Sequence, residues 1–167
     1  MIEVHFRKSK EQLTVLQDGQ VLLTLWAWSK VRNELDGERP NQAKLPDLFH
    51  SELKDRSQGP VAMPRPFPTG RWNLVSIEQS TDQFTQPIFI RTDAHQPLDV
   101  WALDSRGQYS HKTGQTVDDW GYLIHFPNGS NRTQGCTGMT YRNDIIKLCN
   151  VLEAAIHAGP VPYIVEE

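Results

Sequence analysis

Two residues in this chain have the types and the setting for covalent chemistry. His125 ends an apolar run, and Cys136 follows Gly135 across a short polar loop, just ahead of a helical stretch. A free thiol with a pKa of about 8.5 is mostly protonated at neutral pH, so a cysteine nucleophile needs a base. An imidazole within hydrogen-bond reach takes the proton and stabilises the resulting thiolate. The ring then needs an orienting partner, which the backbone carbonyl of Phe126, or Asp118 or Asp119, is placed to supply. Glycine before the cysteine frees the backbone to aim N–H groups at a developing oxyanion, with the Gly135 and Cys136 amides as donors. The pattern therefore reads as a Cys136–His125 dyad for acyl transfer.

The second cysteine reads differently. Cys149 shares helical spacing with Ile145, Leu148, Leu152 and Ile156, so it belongs to an apolar face. Two cysteines make no disulfide framework and lack the partners and spacing of a zinc site, so no metal and no cofactor is expected. His5, His50, His95, His111 and His157 have no cysteine or carboxylate at suggestive spacing and read as surface or packing residues.

The elements that must position the dyad are mostly strands. Residues 2–7 alternate, and the runs around Leu13-Val15 and Val21-Leu23-Leu25 repeat with period two, joined by the hairpin signal Asp18-Gly19. Trp26 and Trp28 extend the second arm. Between 30 and 65 the pattern gives way to Pro, Gly and charge, with a helical candidate at 45–53; this reads as an irregular excursion over the active-site face. Strand patterns return at 71–77, 87–92, 98–103 and 121–126. Thr140 or Asn143 is placed to cap a helix running to His157, which Gly159 and Pro160 stop. A strand at 161–165 closes the chain.

The length of 167 residues suits one domain spanning the chain. With 38% hydrophobic and 22% charged residues and a net charge of -3, the chain has no basic excess, which argues against a nucleic-acid partner. No apolar run approaches the roughly 20 residues needed for a membrane span. The N-terminal residues read as a strand and lack the features of a cleavable signal peptide.

Three segments resemble the L,D-transpeptidase (YkuD-type) catalytic domain of bacterial cell-wall enzymes. They are the opening strands with Gln12-Leu13-Thr14-Val15 and Asp18-Gly19, the segment Pro68-Thr69-Gly70-Arg71-Trp72-Asn73-Leu74, and Ile124-His125 with Gly135-Cys136 and Met139. The resemblance implies a mainly β, sandwich-like domain with one main helix after the cysteine. It also implies that Cys136 attacks the L,D bond between diaminopimelate and D-alanine in a tetrapeptide stem, with His125 as base and the Phe126 carbonyl as its orienter. The acyl group would pass to an amine or to water. Substrate contacts are expected from the aromatics Trp120 and Tyr122, from Arg132 as a positive charge, and from Gln134 and Thr137 beside the cysteine.

The chain departs from the family pattern in placing Phe126 after the histidine, Gln134 two before the cysteine, and Gly138 where Arg or Asn is usual. The implied partners are peptidoglycan stem peptides, met in the periplasm or wall. An antibacterial effector role would add an immunity or secretion partner. The residues also fit a cysteine peptidase or amidase with another substrate, or a module that holds wall peptides without turnover.

Overall fold

The fold is seen in a computed structural model describing residues 1–31, 60–79, 88–106, 109–127, 133 and 135–167. The 45–53 helical candidate and most of the 30–65 excursion lie outside the described residues.

The alternation read at the N-terminus forms strands β1 (Ile2–Arg7), β2 (Gln12–Gln17) and β3 (Gln20–Trp28). The β2–β3 turn sits at Asp18 and Gly19, with φ of +50° and +82°. Both central residues thus take the left-handed conformation that a tight two-residue hairpin requires. The later strands are β4 (Val61–Ala62), β5 (Gly70–Gln79), β6 (Ile88–Thr92), β7 (Gln96–Leu103), β8 (Tyr109–Asp119), β9 (Leu123–His125), β10 (Thr137–Met139) and β11 (Val161–Glu166). Helix α1 spans Arg142–Ala158.

Eight strands close into a barrel in the order β1-β11-β5-β6-β9-β10-β3-β2, and β4, β7 and β8 form a separate three-stranded sheet. Closure leaves the barrel without free edges. Only β1–β11 and β9–β10 pair in parallel; the other barrel neighbours are antiparallel. The described residues are therefore mainly β with one α-helix, as expected.

The main core gathers inward-facing residues of the barrel strands, including Phe6, Leu13, Leu74, Ile90, Ile124 and Tyr163. Ile145, Leu148, Leu152 and Ile156 of α1 pack into it. Cys149 is buried in the same cluster, and burial pushes its thiol up to about 11, so it is an inert core residue. A smaller cluster of Leu98, Val100, Val117 and Val61 holds the three-stranded sheet together.

Three local expectations are corrected. The helix N-cap is Tyr141, with no side-chain cap, rather than Thr140 or Asn143. The Asp144 N–H instead bonds the Tyr141 carbonyl at 3.1 Å. β8 was not anticipated, because its residues 110–116 are exposed on both faces and carry no apolar alternation. β10 was not among the expected strands. Among the described residues, no helix is long and apolar enough to cross a membrane.

Candidate active site

β9 and β10 bring the two candidate residues onto neighbouring parallel strands. Ile124 pairs with Thr137 and His125 with Gly138. Ile124 and Thr137 point into the core, and Thr137 Oγ1 lies 2.7 Å from the Tyr163 hydroxyl. By strand alternation His125 and Gly138 face the other way. The pairing continues through Phe89–His125 on one side and Gly138–Trp28 on the other. Phe89, His125, Gly138 and Trp28 thus form a row across four strands. Cys136 immediately precedes β10, two residues before Gly138, an offset of about 7 Å along the strand direction.

Gly138 is required by this row. A Cβ there would lie 2.8 Å from the Trp28 ring. The indole occupies the space that a side chain at 138 would need, which gives a physical reason for the absence of Arg or Asn. Trp28 itself is buried. A glycine inside a strand is the sequence signal for such close approach.

The loop carrying Cys136 is fixed by a set of short hydrogen bonds. Gly135 has φ of +117°, and a Cβ on it would meet Tyr122 Cε1 at 2.5 Å and the Arg65 carbonyl at 2.7 Å. Only glycine satisfies both constraints. The Ser29 hydroxyl donates to the Gly135 carbonyl at 3.1 Å and accepts from the Phe67 N–H at 2.8 Å. Thr133 Oγ1 donates to the Cys136 carbonyl at 2.9 Å and accepts from the Gly135 N–H at 3.2 Å. Thr133 is held in turn by its N–H to the Lys30 carbonyl at 2.7 Å. The sequence reading missed Ser29 and Thr133, and at Trp28 it expected a groove lining where the indole instead fills the space over Gly138. Only the glycines at their contact points hinted at them.

At the sulfur, the Leu123 N–H points to Cys136 Sγ at 3.4 Å, and the Gly121 carbonyl lies 3.9 Å away. A backbone N–H aimed at sulfur stabilises negative charge there. His125 is buried, and burial pushes its pKa down to about 4; the Phe126 backbone opposes this more weakly. Its Nδ1 is buried with no hydrogen bond of ordinary geometry. The ring is therefore neutral near pH 7, in the form that can accept a proton.

Several expected site residues are placed elsewhere. Tyr122 is fully buried beneath Gly135, its hydroxyl receiving Gln96 Nε2 at 2.7 Å; it supports the loop and does not line a groove. Thr137 is fully buried, since alternation turns it inward, so it does not contact substrate. The Gly135 N–H is already donated to Thr133, which occupies the bond expected for an oxyanion. Asp118 pairs with His95 at 3.2 Å, and Asp119 interacts with the Tyr122 hydroxyl, so neither is the orienter of His125. His95 and His5, read as surface or packing residues with no carboxylate at suggestive spacing, each meet one, at Asp118 and Glu3, because strand pairing and turns bring distant or alternate residues together. Trp120 is exposed. Arg132 and Gln134 lie outside the described residues.

No protein-family model and no curated protein sequence matches the chain. Among solved structures it is similar to an L,D-transpeptidase from Mycobacterium smegmatis. That likeness has a TM-score of 0.42 and 14% sequence identity, over 99% of this chain and 58% of the other. The neighbour is distant, and the chain spans little more than half of its length.

Proposed function

We propose that the protein is a cysteine acyltransferase of the bacterial cell wall, cleaving the bond between diaminopimelate and D-alanine in tetrapeptide stems. The observation that carries this reading is the register of β9 and β10, which sets His125 beside the strand that Cys136 immediately precedes. An offset of about 7 Å is within the combined reach of a cysteine and a histidine side chain. The residue pattern around Ile124-His125 and Gly135-Cys136 supports the choice of substrate.

In the first step the neutral His125 ring takes the thiol proton, and the Cys136 sulfur attacks the diaminopimelate carbonyl. The carbonyl oxygen becomes an oxyanion, met by the backbone N–H of Cys136. Collapse of this intermediate breaks the C–N bond. D-alanine leaves as its amine, having received the proton from His125. The product is a thioester on Cys136. An amine, giving a cross-link or exchange, or water, giving a shortened stem, then attacks the thioester carbonyl. His125 removes the proton of the incoming group and returns it to the departing sulfur.

Rigidity of the loop serves this chemistry. Ser29, Thr133 and Tyr122 hold the Gly135–Cys136 backbone in one geometry, so the attacking sulfur needs little reorganisation. Cys136→Ala should abolish processing of tetrapeptide muropeptides, a loss of about a thousandfold or more, read by mass spectrometry of the products. Undiminished product from the purified variant would reject the assignment.

A further inference from the structure

One surface cluster plays no part in this chemistry. Trp120 is 60% exposed, which is unusual for so large an apolar ring. It is nevertheless held in place. Its indole stacks on the His95 ring, with centroids 4.6 Å apart and an angle of 15° between planes. His95 meets Trp72 edge-on at 5.5 Å, and its Nδ1 lies 3.2 Å from the Asp118 carboxylate. Trp72 is anchored by its indole N–H, which donates to the Pro68 carbonyl at 2.9 Å. The three rings come from β5, from the β6–β7 connection and from the end of β8, so the platform is braced from three directions. With one face on His95, the Trp120 ring presents its other face to solvent.

The residue after Trp120 in the chain touches the candidate nucleophile. Gly121 follows Trp120, has φ of +85°, and places its carbonyl 3.9 Å from Cys136 Sγ. A flat, rigid indole face with polar groups at its rim suits a pyranose ring. The axial C–H bonds of the sugar pack on the π surface, and its hydroxyls bond the rim. The half-exposed Asp118 carboxylate, two residues before Trp120, is the charged group of this cluster. In a wall stem the sugar is joined to the peptide about three residues from the attacked carbonyl. Three extended residues span at most about 10 Å, a distance that keeps the sugar close to the sulfur.

We propose that Trp120, backed by His95, is a sugar-stacking subsite that holds the glycan ring carrying the peptide. The preferred substrate is then a stem still attached to its glycan strand. This choice of substrate rests on the function proposed above, whereas sugar binding itself does not.

The test is saturation-transfer NMR on the full chain, with a peptide-free β-1,4-linked tetramer of N-acetylglucosamine as the probe. Saturable transfer to the ring protons is expected at millimolar sugar. Trp120→Ala should weaken binding by about tenfold or more, and Trp120→Phe should retain most of it. His95→Ala, which removes the backing but leaves the indole, should give an intermediate loss. No transfer from the wild-type protein, or equal binding by Trp120→Ala, would overturn the proposal. The probe has no peptide bond, so the two readings fail separately. Sugar binding without any processing of wall peptides rejects the peptide chemistry alone, and processing without sugar binding rejects the subsite alone.

Discussion

Acidification should destabilise the folded protein through His125 in a way that can be isolated. Burial holds this ring's pKa near 4 in the fold, against 6.5 for an exposed histidine. Between those values the unfolded chain binds a proton at this site and the folded chain does not. Stability therefore rises with pH across the window, by about 1.4 kcal/mol per pH unit. The full stability is present above pH 6.5 and is lost as pH falls toward 4, where the folded ring also protonates and the loss levels off. Across the whole window the loss amounts to about 3 kcal/mol. A loss of that size is a large share of the 5–15 kcal/mol typical of a domain. Urea denaturation at half-unit steps from pH 7.5 to 4 measures it. The carboxylates titrate in both the wild-type protein and His125→Asn, so the difference between the two slopes reports the histidine. Parallel curves for the two proteins would refute the claim that His125 is buried and neutral.

Other consequences follow from the loop and the base. Gly135→Ala combines a left-handed φ with a Cβ 2.5 Å from Tyr122, and should cost about 2–4 kcal/mol, measured by thermal melting. Ser29→Ala removes both the donor to the Gly135 carbonyl and the acceptor of the Phe67 N–H, and should cost about 1–3 kcal/mol in urea denaturation. Activity against muropeptides should persist on acidification well below pH 6.5 and fall only as His125 protonates near 4, seen as the acid limb of a kcat/KM profile. An acid limb at 6.5 would place the base in water.

Much of the fold was legible where local rules decide it. Asp18-Gly19 announced its hairpin because both residues tolerate positive φ, and α1 announced itself through the spacing of Ile145, Leu148, Leu152 and Ile156. β8 was hidden because a strand exposed on both faces leaves no alternation to read. β10 is three residues long with a glycine at its centre, and its parallel partner lies across a loop, so only tertiary pairing creates it. The same limit applies to the site. Cys136, His125 and Gly135 stand out by type and order. Whether Tyr122 and Thr137 face a groove or the core depends on strand phase, and phase is set by neighbours. The supports from Ser29, Thr133 and Trp28 arrive from a distant part of the chain. Gly138 was read as a missing side chain, and the Trp28 indole supplies the reason for it.

The central claim is that Cys136 forms a thioester with the wall peptide. Intact-mass spectrometry of the purified protein after brief exposure to a tetrapeptide muropeptide tests it most directly. The account predicts an added mass equal to the muropeptide less D-alanine, located on the peptide containing Cys136, absent from Cys136→Ala, and discharged faster when an amine acceptor is the preferred partner. An unmodified wild-type protein that still releases D-alanine, or an adduct that persists in Cys136→Ala, would contradict it.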